Sequence, residues 1–451
     1  MRLVARAAVC GASFLFFLLS ACAPSLHHQA LVEQNLLAHR YTDADAVVEK
    51  NKEDYGERNA LLYYFDRGML LHLAGRYEES NVFFEKAGAL VEELYTQSVS
   101  THAGALLTND NLLPYEGEDF EKVLIHLFSA LNYASMGQWD EALVEARRVD
   151  ARLNLLNDRY SPKSVYKEDA FARYLSGILY EARGESNDAF ISYRKAYEAF
   201  QEYQKFYRTP IPERIGSDLI TLSKILRLRE EQEEYKKAFP QSVSQATAPA
   251  SEQEGEMVIV AYGGRSPIKE DYFIDAPVPD GSGGVYMLRV ALPKFVPQPS
   301  QVDSVEVVLQ KGETTLRRRF DLLEDITAIA KKNLEDRIAR ISGKAIARAT
   351  AKYLAGRTAK REAKKRGGEG AELLTGFLSN VYSVASEQAD KRSWRTLPGR
   401  IYLARISLPE GAWRAKIRYY SKEGTLIEEG EVPNVVIEKR KKRFFIDQTI
   451  R

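Results

Sequence analysis

The chain has 451 residues, of which 45% are hydrophobic and 28% are charged, and its formal net charge at pH 7 is +1. This length allows two or more domains, and the composition excludes both an intrinsically disordered chain and a protein made mainly of membrane-spanning segments. The nearly neutral charge also argues against a general nucleic-acid-binding protein.

The first 22 residues have the order of a secretory signal. Arg2 and Arg6 precede an apolar run from Ala7 to Leu19, which is about 13 residues long and therefore shorter than the roughly 20 residues that a membrane-spanning helix needs. The stretch Leu19-Ser20-Ala21-Cys22 then resembles the lipobox of bacterial lipoproteins. The resemblance implies a signal peptide at 1–21 that is cleaved, acylation of Cys22, and a lipidated tether at 22–30. The alternative is an ordinary signal peptide with an incidental cysteine.

The cysteine content agrees with this interpretation. Cys10 and Cys22 are the two cysteines of the chain, and Cys10 lies within the segment that would be removed. We therefore expect no disulfide, thiolate nucleophile or cysteine-based metal site in the mature protein. Two or more acyl chains anchor a protein stably. Because Ala23 stands where inner-membrane lipoproteins tend to have aspartate, the resemblance implies an outer-membrane anchor with the body of the protein in the periplasm.

Residues 31–239 have apolar side chains at helical spacing. Within this range three segments share one frame, in which a small residue is followed seven positions later by a glycine. The small residue would let two helices approach closely, and the glycine would permit the turn between them. The residues expected to pack these helix pairs are Gly68, Gly75, Tyr77, Gly137, Trp139, Ala142, Gly177, Gly184, Ala189 and Tyr193.

This shared frame resembles the tetratricopeptide repeat, whose usual period is 34 residues. Gly75, Gly137 and Gly184 are further apart than one period, so we expect insertions between the units. The resemblance implies an α-solenoid with a concave face that binds a peptide, a protein or an extended polymer. A helical bundle with coincidental glycines is the alternative.

A long interruption from Thr101 to Phe120 separates the first two units and mixes Gly, Asn, Asp and Pro with Leu and Tyr. Loops of this length that contain apolar residues are often functional. Tyr115, Glu116, Glu118 and Asp119 are therefore candidates for recognising a ligand. The alternative is structural, because an acidic pair also suits the first turn of a helix, where carboxylates interact favourably with the helix dipole.

The stretch 240–256 is polar and without periodicity, which predicts a flexible linker and a domain boundary. After it, apolar and polar residues alternate in short runs at 257–264, 285–295, 305–320, 401–408 and 411–420. A period of two residues predicts strands. We therefore expect 257–451 to form a β-rich domain, as a β-sandwich rather than a barrel.

Helical periodicity interrupts these strands between 322 and 394. A basic first arm and an apolar second arm flank the glycines between 367 and 370, so we predict an inserted helical hairpin. The complete fold is then a multidomain α + β protein, with an α-solenoid of tetratricopeptide-like helix hairpins before the β-sandwich-like domain. Basic residues that would contact anionic lipid or an acidic partner are Lys360, Arg361, Lys364, Lys365 and Arg366. An ordinary packed hairpin with a solvated charged face is the alternative.

The sequence contains no recognisable catalytic motif. The six histidines, of which His126 is the last, do not have the H-E-x-x-H spacing of a zinc site. A G-x-S-x-G elbow and a phosphate-binding loop do not occur, and the many carboxylates do not single out an acid and a base. We therefore expect no enzymatic activity, no metal and no cofactor.

The lipobox, the interrupted repeats and the junction RSWRTLP at 392–398 together resemble a poorly characterised family of bacterial envelope lipoproteins. Some relatives accompany lipoproteins that activate cell-wall synthases, which implies a role in the envelope. The expected function is a lipid-anchored periplasmic adaptor or scaffold at the outer membrane that binds protein partners through its repeats and binds no nucleic acid. The alternatives are a hydrolase of peptidoglycan or polysaccharide and a membrane-associated subunit of a multimer.

Overall fold

The computed structural model describes residues 26–101, 111, 113–159, 168–247, 254–279, 285–386 and 388–451. The predicted signal peptide and Cys22 lie outside these residues. The helices of the first half are α1 (Leu26–Leu37), α2 (Tyr41–Lys50), α3 (Lys52–Tyr55), α4 (Ala60–Leu73), α5 (Tyr77–Thr101), α6 (Asp119–Ser135), α7 (Trp139–Arg159), α8 (Ala170–Ala182), α9 (Ser186–Tyr207), α10 (Glu213–Ile225), α11 (Arg229–Ala238) and α12 (Val243–Thr247). Because α1 begins at Leu26, residues 26–30 of the predicted tether are helical.

Among the described helices, five consecutive pairs form hairpins: α1 with α2, α4 with α5, α6 with α7, α8 with α9, and α10 with α11. At each turn one residue has a left-handed backbone, with φ between 54° and 76°. The next amide donates to a carbonyl five residues earlier, as from Arg76 to Leu71 at 2.9 Å, which is the Schellman pattern that ends a helix. The turn residues are His39, Gly75, Gly137, Gly184 and Arg227.

Two of the five hairpins have no glycine at the turn, and the sequence pattern therefore does not predict them. Glycine adopts the left-handed region without steric cost, so a repeated glycine marks the second, third and fourth turns. His39 and Arg227 adopt the same conformation at the first and fifth turns, where other interactions of the folded chain offset a cost of about 1–2 kcal/mol.

Each glycine before a turn lets an aromatic ring enter the hairpin. A Cβ atom at Gly68 would lie within 3.0 Å of the ring of Phe84, and one at Gly177 would lie equally close to Tyr193. In the hairpin between them the corresponding residues, Ala130 and Ala146, are both buried. Two of these hairpins therefore pair a glycine with a large ring, and the third pairs two alanines. Either combination lets the two helices pack closely.

The described residues of the second half form ten strands and one long helical segment. The strands are β1 (Glu254–Gly263), β2 (Ile268–Pro279), β3 (Val285–Val296), β4 (Ser304–Lys311), β5 (Thr314–Arg319), β6 (Asp321–Asp325), β7 (Arg400–Pro409), β8 (Gly411–Tyr420), β9 (Leu426–Ile437) and β10 (Lys442–Thr449). They form a first sheet in the order β10-β1-β7-β6, a second sheet in the order β5-β4-β8-β9, and a separate β2–β3 hairpin. In the first sheet β1 and β10 are parallel, and the other pairs are antiparallel.

The first sheet is the middle layer of three. Met257, Ile259 and Ala261 of β1 face the second sheet and share a core with Ile417 and Tyr419. The alternate residues of β1, Val258, Val260 and Tyr262, belong to the same core as the helix hairpins. Mixed α and β structure is thus present as expected, but the two halves share a core.

The predicted flexible linker at 240–256 is wrong over the residues that the structure describes. Residues 240–242 form a turn of 3-10 helix, α12 follows, and β1 begins at Glu254. Ser242 and Ala246 are buried. The polar composition suggested a mobile segment because it shows no periodicity, whereas short helical turns need none.

The helical segment predicted within 322–394 begins later than expected. Residues 321–325 form β6, and helical structure, α13, runs from Ile326 to Ser386 over 61 residues. A straight helix of this length would span about 90 Å. The Ile326 amide donates to Gly399, and the Ala389 amide, three residues after the end of α13, donates to Asp271 of β2. Both ends of α13 therefore lie near the body of the protein, and the chain reverses direction within 326–386.

A buried cluster of charges joins the helices to the first sheet. Arg405 of β7, whose side chain is 1% exposed, contacts Asp218 at 2.8 Å, Glu256 at 2.9 Å and Glu181 at 2.7 Å. Lys442 also pairs with Glu181 and Glu256. Burial would raise the pKa of Glu256, but Arg405 and Lys442 outweigh burial and hold that pKa well below its usual range. The ionised cluster therefore connects α8 and α10 with β1, β7 and β10.

We expect the Gly177→Ala substitution to lower the free energy of unfolding by about 1–3 kcal/mol, because the new methyl group would overpack against Tyr193. Gly343→Ala in α13 is the matched control, since a Cβ there meets nothing within 4 Å. The control should gain about 0.5–1 kcal/mol from helix propensity. Urea unfolding measures both, and equal effects at the two positions would contradict the close packing at Gly177.

We expect Arg405→Met to lower the free energy of unfolding by about 3–5 kcal/mol, because it leaves Asp218, Glu256 and Glu181 buried without their shared cation. Arg418→Met is the control, since Arg418 pairs with Glu429 at the surface, and we expect little change from it. Urea unfolding of the two variants gives the comparison. A loss no larger at Arg405 than at Arg418 would show that the cluster does not hold the halves together.

Candidate protein-binding groove

The residues predicted to pack the repeats lie inside or between the hairpins. Ala142 and Ala189 are fully buried in α7 and α9. Tyr77 and Trp139 are half-buried at the starts of α5 and α7, and the ring of Trp139 lies 6.0 Å from that of Phe444 on β10. These side chains stabilise the scaffold and do not line an open site.

The face formed by the first helices of the hairpins is covered by the second half of the chain. Nε2 of His72 on α4 lies 2.9 Å from the Tyr262 hydroxyl on β1. Trp394, in the segment that follows α13, stacks on Phe65 of α4 with ring centroids 4.3 Å apart. Burial lowers the pKa of His72 to about 4, so this histidine is neutral at physiological pH. This face of the repeats is therefore covered within the chain.

The acidic residues before α6 have structural partners. Glu118 and Glu121 form a capping box, in which the Glu118 amide donates to the Glu121 carboxylate at 2.8 Å. Glu118 also pairs with Lys269 of β2 and Arg337 of α13. Burial alone would raise the pKa of Glu118, but the two cations keep it well below its usual range.

Two of the three remaining candidates in this loop also have partners within the fold. Tyr115 is buried and donates to Glu121 at 2.6 Å, and Asp119 lies 3.6 Å from Lys122. Glu116 is exposed. The structure thus favours the structural interpretation of Glu118 and Asp119, while residues 102–110 and 112 lie outside its description.

A groove remains open between the second helices of two neighbouring hairpins. Its walls are α5 and α7, its floor is α6, and its volume is about 770 Å³. Val82 on one wall and Val144 on the other are 48% and 44% exposed. Gly88 and Ala89 on α5 and Ala151 on α7 have minimal side chains, which leaves space between the walls. The groove therefore contains an apolar strip with room for a chain segment.

The groove is acidic. Its lining includes five carboxylates and two guanidinium groups: Glu78, Glu85, Glu92, Glu141, Glu145, Arg148 and Arg152. Arg152 pairs with Glu92 across the groove, and Glu145 contacts both Arg148 at 2.7 Å and His126 at 2.8 Å. Within the described part of the chain, Glu78, Glu85 and Glu141 have no ion-pair partner. These three carboxylates give the groove an excess of negative charge.

The sequence carries a periodic signal on one wall of this groove. Glu78, Glu85 and Glu92 are spaced by seven residues, which puts them on one face of a helix. Val82 and Ala89 repeat the same spacing between them. Regular spacing could have identified the face, but it could not show that α7 lies opposite.

The basic residues of the predicted hairpin lie on α13. Arg361, Lys364 and Lys365 are exposed, and Lys365 lies 3.4 Å from Glu362. Lys360 and Arg366 belong to the same helix, but their side chains are outside the described structure. The structure does not bring this basic stretch to the groove of the same chain.

The residues that the structure describes include no cluster of three or more His, Cys, Asp or Glu side chains suited to holding a metal ion. No helix among them is long and apolar enough to cross a membrane.

No protein-family model and no curated protein matches the chain. Similar solved structures include MamA AMB-1, with 12% identity, a TM-score of 0.29, and coverage of 50% of this chain and 97% of that chain. Another is a Podosopora anserina putative kinesin light chain with nearly identical TPR-like repeats, with 13% identity, a TM-score of 0.32, and coverage of 51% and 100%. TM-scores this low carry no argument about function. The description of the helical half as tetratricopeptide-like therefore rests on its own five hairpins.

Proposed function

We propose that this chain is a scaffold that binds a protein partner in the groove between α5 and α7. The observation that carries the proposal is the exposure of Val82 and Val144 inside an acidic groove of about 770 Å³. Exposed apolar side chains rimmed by polar ones are typical of protein-binding surfaces. The first-helix face is already used within the chain, so the groove is the surface of the repeats that we assign to a partner.

The charge of the groove defines the chemistry of the partner. Glu78, Glu85 and Glu141 favour a segment that carries lysine or arginine on either side of small apolar residues. Complementary charge increases the association rate and selects among partners more than it raises affinity. The partner is therefore a basic, amphipathic segment of another protein.

We further propose that the scaffold is a bacterial lipoprotein held in the outer membrane by acylated Cys22, with its body in the periplasm and a role in envelope or cell-wall assembly. The sequence supports this through the lipobox and Ala23. The proposed activity is binding and not catalysis. A hydrolase of envelope polymer is not preferred, because Glu118 and Asp119 of the candidate loop pair with cations within the fold.

The groove is tested with a photoreactive amino acid at position 82 or 144 in intact cells. We expect the same protein to be captured from both positions. The double substitution Glu85→Lys and Glu141→Lys should abolish this capture, because it reverses the charge of both walls. Mass spectrometry of the captured band identifies the partner and the segment that binds.

The matched control is Glu230→Lys with Glu234→Lys, which makes the same charge change on the exposed surface of α11. We expect this control to retain the crosslink. Equal capture in all three proteins would mean that the contact does not depend on the groove, and an absence of captured protein at both positions would refute the proposed function.

The anchor is tested separately with Cys22→Ser. We expect the variant to lose incorporation of labelled palmitate and to move from the outer-membrane fraction to the soluble periplasmic fraction, because a stable anchor requires the acyl chains. Ser20→Thr, which leaves the cysteine in place, is the control. Palmitate labelling that persists in Cys22→Ser would contradict lipidation at this residue.

A further inference from the structure

The β2–β3 hairpin and the part of α13 beside it form a projecting arm, which we define as Ile268–Val296 of the described strands with α13 up to Lys365. One face of the hairpin packs on the helix through Ala276, Leu288 and Val290, which share a cluster with Ala345 and Ala349. The base of the arm is held by Glu118, which contacts both Lys269 of β2 and Arg337 of α13. β2 and α13 therefore extend from the same point on the body of the protein.

Because β2 and α13 share this base, distances along the strand and along the helix can be compared from it. From Lys269, ten residues of β2 lead to the strand end at Pro279, which is about 33 Å at 3.3 Å per residue. A helix needs about 22 residues to cover the same distance at 1.5 Å per residue, and counting from Arg337 this reaches the turn that contains Lys360 and Arg361. The end of the hairpin and the basic stretch of α13 thus lie at the same end of the arm.

The outer face of the hairpin is apolar toward that end. Met287 pairs with Pro277, and Val285 pairs with Pro279. Val285 is 69% exposed and Met287 is 54% exposed. Val285 and Met287 are the first and third residues of β3, so they lie on the same face and next to the tip. Exposed side chains of this size at the end of a projecting hairpin indicate a surface that is covered in the working protein.

Cations accompany these apolar side chains. The stretch 357–366 contains six lysines and arginines and one glutamate, and Arg361, Lys364 and Lys365 of this stretch are exposed. Arg289, on the hairpin itself, lies over the ring of Phe273 at 4.7 Å. Its charged group therefore sits at the border of the apolar strip.

We propose that the end of the arm docks on the surface of an anionic lipid bilayer. Val285 and Met287 enter the boundary between headgroups and acyl chains, while Arg361, Lys364 and Lys365 contact the phosphate groups. Apolar insertion and attraction to anionic lipid act together in peripheral membrane binding. An acidic protein surface would use the same cations, but it would not require valine and methionine at an exposed tip.

This inference rests on the arm and not on the groove, so it can fail or hold independently of the proposed function. Docking would orient the body relative to the bilayer, which an acyl tether at Cys22 alone leaves free. The arm then supplies a second, weaker contact whose strength depends on lipid charge.

The test uses the full chain with Cys22→Ser, so that no acyl chain contributes to binding. Co-sedimentation compares vesicles of phosphatidylcholine with vesicles that also contain phosphatidylglycerol. We expect at least about a hundredfold stronger binding to the anionic vesicles, and less at high salt. Arg361→Gln, Lys364→Gln and Lys365→Gln together should reduce the anionic partition coefficient by about a hundredfold, at about 1 kcal/mol per cation. Val285→Ser with Met287→Ser should reduce it by about tenfold or more.

Controls of matched exposure lie on the second sheet and its flanking turn. They are Leu426→Ser with Val436→Ser, and Lys416→Gln with Lys439→Gln and Lys441→Gln. We expect both controls to bind as the parent does. Equal binding to neutral and anionic vesicles, or losses in the controls as large as those in the arm variants, would overturn the proposal. No binding to either vesicle would also overturn it and would leave a protein as the occupant of the arm.

Discussion

Burial of β1 on both faces is the constraint on which the rest of the structure depends. Its odd-numbered apolar residues pack against the second sheet, and its even-numbered ones pack against the helix hairpins. A strand covered on both sides cannot leave either layer without exposing apolar surface to water. Arg405 on the adjacent strand adds charge pairs with Glu181 and Asp218 of the helices. The two halves therefore behave as one body despite the polar stretch between them.

This constraint decides which surface of the repeats is available. The first helices supply His72, Phe65 and Tyr174 to contacts with the C-terminal half. Although the first-helix face is covered within the chain, the second helices of neighbouring hairpins can still form an open groove between them. The acidic groove between α5 and α7 is wide because small residues line both walls. Function is therefore expected at a place that the repeat pattern alone does not suggest.

The arm has a different relation to the body. Its base is tied down by Glu118 between Lys269 and Arg337, and its flank is an apolar contact between the β2–β3 hairpin and α13. Its end combines exposed apolar side chains with a basic stretch. Glu118 therefore fixes the base of the arm to the start of α6.

The sequence by itself determined the elements whose signal is local. Glycine at three turns and alternation along strands such as 411–420 both depend on neighbouring residues. Tertiary structure decided the rest. His39 and Arg227 adopt a glycine-like conformation because contacts elsewhere in the folded chain offset the local cost. Which face of a helix is covered depends on residues distant in the chain, so no local pattern could reveal that the repeats pack on one face of the first sheet.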